Sequence, residues 1–309
     1  MKTAVAFLVF NRPDTTAKVF EAIRQAQPPK LLVVADGPRD NRPGEAEKCA
    51  EVRKIIDRVD WNCEVLTNYS DKNLGCKARV SSGLDWVFQT VESAIILEDD
   101  CLPQPSFFRY CDELLEKYRS DTRVMHIAGT NFGITGQNER ESYCFSRRTH
   151  IWGWATWRRA WQYYDVTMKL WPEFQAQNRL IQVVGNQKEA EKKTEIFDKV
   201  YRGEIDTWDY QWHFTCMWNG NLTIIPHTNM VENIGFQEAS THTTERPGDF
   251  GELSVKDIDF PLIHPKFFVR EDLADTLYFN KMHNPSLNTR IKRKVKKILI
   301  KISKLTSSN

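Results

Sequence analysis

At 309 residues the chain can hold two average domains or one large α/β domain, and in either case it can enclose a pocket. Its 41% hydrophobic and 27% charged residues suit a soluble globular protein, and a formal net charge of +2, from 43 basic and 41 acidic side chains, excludes a chain built throughout to bind polyanions. Seven cysteines without a CxxC pair exclude a dense secreted disulfide framework and read as reduced thiols, and no apolar run reaches the roughly 20 residues that span a bilayer.

Ala4 to Phe10 is a short continuous apolar run of the kind buried on both faces of a parallel sheet. Asn11-Arg12-Pro13-Asp14 ends it too soon for a signal peptide and opens a helix from about Thr15 to Ala26. A cytoplasmic protein is the expectation. The unit repeats: strand Leu31 to Ala35, the turn Asp36-Gly37-Pro38, then helical pattern from Glu45 to Arg58. Val65 and Leu66 mark a third strand, Asn68 to Gly75 a polar loop, and Cys76 to Thr90 an amphipathic helix. Ala94 to Leu97 is a fourth buried strand that stops abruptly at Glu98-Asp99-Asp100. Strands alternating with helices predict an α/β fold with a mixed, largely parallel sheet flanked by helices. Ligands of such sheets bind beyond the carboxyl ends of the strands, so Asn11, Arg12, Asp36 and the three acids are expected to converge there.

After Phe107 to Lys117, beyond about residue 120, the pattern loosens into short elements, among them Val124 to Ile127 and the Trp-rich stretch Trp152 to Trp171. The expected organisation is one α/β domain in two halves, over 1–120 and 121–270, followed by a C-terminal extension over 271–309.

Three adjacent carboxylates repel one another, and a divalent cation relieves that repulsion; oxygen donors of this type suit Mg²⁺ or Mn²⁺, which share their remaining sites with phosphate and water. A solvated strand-to-loop turn accounts for the same triplet. The run Ile95 to Phe108, with Glu98-Asp99-Asp100-Cys101-Leu102-Pro103 at its centre, resembles the DxD segment of GT-A fold nucleotide-sugar glycosyltransferases. The particular likeness is to alpha-1,3-mannosyl-glycoprotein N-acetylglucosaminyltransferases and related bacterial enzymes of polysaccharide assembly. Phe10-Asn11-Arg12, Val34-Ala35-Asp36-Gly37 and Trp208-Asp209 agree in order, and the likeness extends over roughly residues 3 to 236.

The resemblance implies an inverting hexosyl- or N-acetylhexosaminyltransferase that uses a nucleoside diphosphate sugar, a UDP-sugar by likeness, and a glycan or lipid-linked acceptor. It places Asp36 near the base, Arg12 and Trp208 at the donor, Glu98 on the sugar, Asp99 on ribose or sugar hydroxyls, Asp100 on the metal, and Asp209 as the base. Turn chemistry at Asp36 and N-terminal capping at Asp209 explain those residues without catalysis.

The loop from Ser70 to Arg79 carries three cations before a helix N-terminus, where anions are favoured. Lys77 and Arg79 cannot both face one way, and Lys77 is the candidate donor contact. Asp206-Thr207 reads as a helix N-cap pair, and His213, one turn from Asp209, is placed to hydrogen-bond to it. The rings of Trp152, Trp154, Trp157 and Trp161 follow no single helical stripe, so some belong to the core and others to a sugar platform; Gly153 permits close backbone approach. Ser240, Thr241 and His242 are expected on a loop closing over the diphosphate, with His242 a candidate metal ligand.

Arg290 to Lys304 carries eight Lys or Arg and no acid, with Ile291, Val295, Ile298, Leu299, Ile302 and Leu305 at helical spacing. Such a helix is drawn to anionic membrane surfaces, here the inner face of the plasma membrane; a soluble basic helix or a disordered end has the same composition. Nucleic acid is not an expected partner, because no reader motif accompanies the basic tail. Two rivals stand beside the transferase. A sugar nucleotidyltransferase needs a Gly-rich phosphate loop near the first strand, where Asn11-Arg12-Pro13 stands instead, and a non-catalytic carbohydrate-binding protein would use the Trp residues alone.

Overall fold

A computed structural model describes residues 1–134, 136, 138, 140–235 and 254–283. The chain begins β1 (Ala4–Val9), α1 (Pro13–Ala26), β2 (Lys30–Ala35), α2 (Glu45–Ile56), β3 (Glu64–Tyr69), α3 (Gly75–Thr90) and β4 (Ser93–Glu98). It continues through β5 (Cys101–Pro103), α4 (Pro105–Lys117), β6 (Val124–Ala128), β7 (Tyr143–Ser146) and β8 (Trp154–Trp157). The short helices α5 (Arg158–Trp161), α6 (Trp171–Ala176) and α7 (Arg179–Val184) lead into α8 (Gln187–Tyr201) and α9 (Asp209–Trp218). Last come β9 (Leu222–Pro226), β10 (Val231–Asn233) and α10 (Asp272–His283).

Eight strands form one sheet in the order β3-β2-β1-β4-β8-β6-β9-β7, with β8 and β7 antiparallel to their neighbours and the first four strands parallel. The expected α/β class and largely parallel sheet flanked by helices are what the structure shows. All of β1 is buried, and its alternation divides the core. Val5, Phe7 and Val9 pack with α1, α2 and α4 on one face, while Ala4, Ala6 and Leu8 pack with α3, α5 and α9 on the other. A strand covered on both faces has no polar side to present, hence its unbroken apolar run.

Trp154, Trp161, Trp208 and Trp212 fill the second face, each at most 3% exposed, and each such ring contributes roughly 2–3 kcal/mol on removal from water. The helices α6 to α8 bury Trp171 and Phe197 against Phe214 of α9, in a third apolar cluster. None of the three helices is evident from the sequence, because α6 and α7 are six residues each and α8 is dominated by Lys and Glu. A two-stranded ribbon pairs β5 with β10, placing Asn233 opposite Cys101 and so tying the segment after the acids to residues 231–233.

The helix α10 lies past residue 270, where the sequence suggests an extension. Its Asp275 is 1% exposed and accepts a hydrogen bond from Ser146 Oγ at 2.5 Å. No helix among the described residues is long and apolar enough to cross a membrane. None of the seven cysteines forms a disulfide.

Candidate active site

The sheet order reverses between β1 and β4, and at the carboxyl ends of these strands lies a cavity of about 670 Å³. Leu8 pairs with Glu98 in register, so Arg12 after β1 and the acids after β4 come together as their positions at the strand ends predict. Carboxylates of Asp36, Glu98, Asp99, Asp100, Asp206 and Asp209 line the cavity, against the arginines Arg12, Arg39 and Arg79. Arg39 is held by Glu45 through two nitrogens, and Arg79 is spent on the carbonyls of Ala35 and Asn68. The lining therefore carries an excess of negative charge, which repels a diphosphate unless a cation enters with it.

Arg12 Nη1 lies 2.8 Å from Asp100 Oδ2 and 3.6 Å from Asp99 Oδ1, while the backbone N–H of Phe10 donates to Asp99 Oδ2 at 3.1 Å. Burial, then repulsion from Asp100, pushes the Asp99 carboxyl up to about 7 in spite of Arg12. Burial raises Glu98 well above the usual carboxylate range, reinforced by Asp100, Asp99 and Asp209. One guanidinium thus does not neutralise the cluster. Among the described residues no group of three or more His, Cys, Asp or Glu is placed to hold a metal ion. An ion of the Mg²⁺ or Mn²⁺ type on Asp100 would have to take most of its ligands from phosphate and water. Gly235 abuts this carboxylate so closely that a Cβ there would sit 2.3 Å from Asp100 Oδ2.

Other expected contacts fall differently. Asp36 accepts from the backbone N–H groups of Gly37, Leu74 and Gly75 and from Asn73 Nδ2, at 2.9 to 3.2 Å, so both oxygens fasten the loop that starts α3. Lys77 is not part of the cavity lining: Cys76 and Arg79 take the inward face of α3, and Lys77 is turned about 100° from Cys76. Trp208 reaches the wall but its indole stacks on Trp154 at 5.6 Å inside the core. Asp206 and Thr207 do not cap α9; the cap position is Trp208, and Thr207 donates its hydroxyl to the Asp209 carboxylate. Ser240, Thr241 and His242 lie outside the described residues, as does the basic tail.

Asp209 opens α9 on the wall of the first cavity and also on that of a second, of about 280 Å³. Ile151 and Trp152 are the other residues common to both linings. Trp152 is thus the member of the Trp cluster that faces ligand space, whereas Trp154, Trp157 and Trp161 are core. Gly153 beside it holds φ +62°, and a Cβ there would meet Val231 Cγ2 at 2.6 Å. His213 does not pair with Asp209. Its Nδ1 meets Thr149 Oγ1 at 2.9 Å and its Nε2 meets Lys193 Nζ at 2.6 Å. Sequence reasoning missed the second cavity because Thr149, Lys193, Tyr210 and Tyr278 come from four separate segments with no local motif.

No family model matches the chain, and no curated protein matches it. Among solved structures it is similar to mouse xyloside xylosyltransferase 1, at 10% identity over 73% of this chain and 85% of that one, with a TM-score of 0.38. A galactosyltransferase in complex with donor and acceptor sugar analogues gives 9% identity, 72% and 73% coverage and a TM-score of 0.38. A UDP-glucose pyrophosphorylase complexed with UDP-glucose gives 11%, 53% and 79%, and 0.32. Scores in this range do not place the chain in any of those groups.

Proposed function

We propose that this protein is a metal-dependent, inverting GT-A glycosyltransferase that moves a hexose or N-acetylhexosamine from a nucleoside diphosphate donor, a UDP-sugar by resemblance, to a glycan or lipid-linked acceptor. The observation that carries the reading is the position of Asp209, on the wall common to a large acidic cavity at the sheet's switch point and to a smaller one beyond it. A transferase needs this layout, because donor and acceptor must approach one carboxylate from two sides.

The donor would occupy the larger space, with Arg12 at the phosphates, Asp99 at ribose or sugar hydroxyls, and Glu98 at the sugar. Asp36 and Trp208 would shape the pocket by fixing the α3 loop and the start of α9. A divalent cation on Asp100, when bound, neutralises charge on the diphosphate leaving group. The acceptor hydroxyl oxygen attacks the anomeric carbon, the bond to the diphosphate breaks with its electron pair on the departing phosphate oxygen, and the hydroxyl proton passes to Asp209. In-line attack inverts the anomeric centre.

Incubating the protein with a panel of nucleotide sugars and Mn²⁺ tests this directly. Release of free sugar and nucleoside diphosphate, growing into transfer when acceptor is added, is the expected result. Release of nucleoside triphosphate on addition of pyrophosphate would show a nucleotidyltransferase instead, and sugar binding without turnover of any nucleotide sugar would show a carbohydrate-binding protein.

A further inference from the structure

We propose that the smaller cavity is the acceptor subsite and that it selects a sugar bearing an anionic group, a carboxylate or a phosphate, through pairing with Lys193. The proposal rests on the glycosyltransferase reading and adds to it the chemical class of the acceptor.

Charge accounting around the cavity leads there. Arg147 and Arg148, at 6% and 5% side-chain exposure, face Glu189 and Asp275, each at 1%. Ion pairs of 2.8 Å (Arg148 to Glu189), 3.2 Å (Arg147 to Glu189), 3.5 Å (Arg147 to Asp275) and 3.6 Å (Arg148 to Asp275) join all four. These two buried cations and two buried anions cancel, as burial demands, and Arg147 also reaches the exposed Asp272 at 3.5 Å. Lys193 is an additional cation on the cavity wall. Its ammonium meets no carboxylate within 4.0 Å among the described residues; its one hydrogen-bond partner there is His213 Nε2. A nitrogen facing an ammonium must accept, so the His213 proton resides on Nδ1 and is donated to Thr149, and the imidazole has no charge to offer. Two ammonium protons remain for a ligand, and an anionic group on it would accept them.

The rest of the wall suits a sugar. Phe132, Trp152, Tyr210 and Tyr278 present rings, on which the C–H faces of a hexose pack. His150, 5% exposed, donates from Nδ1 to the carbonyl of Thr130 and stacks on Tyr278, which fixes that ring in the wall.

The groups facing Lys193 set how pairing responds to pH. Glu189 from its own helix and Asp275 from α10 favour its charge, while Arg147 and Arg148 from the loop after β7 oppose it; His213 from α9 is neutral, and Lys192 beside it is tied to Glu195. Burial above all, then Arg148, lowers Lys193 to about 7. An anion therefore binds best below pH 7 and loses its hold as pH rises through that value, whereas a neutral sugar shows no such trend.

The test uses the full chain with UDP and Mn²⁺ present and measures affinities for methyl glucoside and methyl galactoside, their uronides, and the corresponding sugar 6-phosphates. Anionic members should bind at least about tenfold tighter than neutral ones at pH 6, and the uronide advantage should shrink at pH 8.5. Whether uronide or phosphate leads identifies the source of the charge. Lys193→Met should abolish the preference and Lys193→Arg preserve it, with UDP affinity reporting that each variant is folded. Neutral and anionic sugars binding alike, or a preference surviving in Lys193→Met, would overturn the proposal. Loss of the underlying reading is seen separately, as wild-type protein that turns over no nucleotide sugar.

Discussion

The two cavities that meet at Asp209 have opposite electrostatic needs. The larger gathers six carboxylates, and the smaller balances a buried quartet of charges and then adds a lysine. In the first, acids crowd and repel one another; in the second, acids hold the fold together. A carboxylate's worth thus depends on the charges already around it.

Removing the cation proposed for the first cavity is the most severe challenge to this contrast. Chelation with EDTA, or Asp100→Ala, should reduce transfer below detection, with Mn²⁺ or Mg²⁺ restoring the wild type alone; full activity in EDTA would show the acids to be a solvated turn. Next comes the shared carboxylate. Asp209→Asn should lower turnover by about 10² to 10⁴-fold, leaving donor affinity and melting temperature near wild type, because the amide keeps the shape and loses the basic oxygen. A product that retained the donor's anomeric configuration would remove the need for a base.

In the second cavity the removal of an acid should destabilise instead. Glu189→Gln leaves two buried guanidinium groups sharing Asp275 and should cost about 3 to 5 kcal/mol in denaturant unfolding. The smallest effect is a slope with pH. Asp99 stands near 7 when folded against about 3.9 when unfolded, so the metal-free protein binds the extra proton in its native state. Its contribution to stability is full below pH 4 and is lost as pH rises toward 7; Mn²⁺ together with UDP should flatten that decline, and a stability that climbed over the same window in EDTA would contradict the crowding of the acids.

How far the sequence reveals each cavity follows from how its residues are spaced. The first four strands and the acids are readable because each apolar run is followed directly by the polar residues at its end, so strand position and site position coincide. Asp36 is harder, since only the folded loop shows its oxygens taken by Gly37, Asn73, Leu74 and Gly75. Helical spacing suggests a bond between His213 and Asp209, but α8 brings Lys193 to the ring, and no local rule anticipates a partner 20 residues upstream. The second cavity has no signature in the chain at all: its rings and charges become neighbours only once β7, α8, α9 and α10 have packed.

The stacking of Trp154 on Trp208, with centroids 5.6 Å apart and planes 21° from parallel, has an optical consequence. Two indoles at that distance couple their electronic transitions, and the coupling adds to the circular dichroism of the folded protein. Because Trp208 is bonded directly to Asp209, that signal is a chromophoric readout of how the start of α9 is held, legible without substrate, label or turnover.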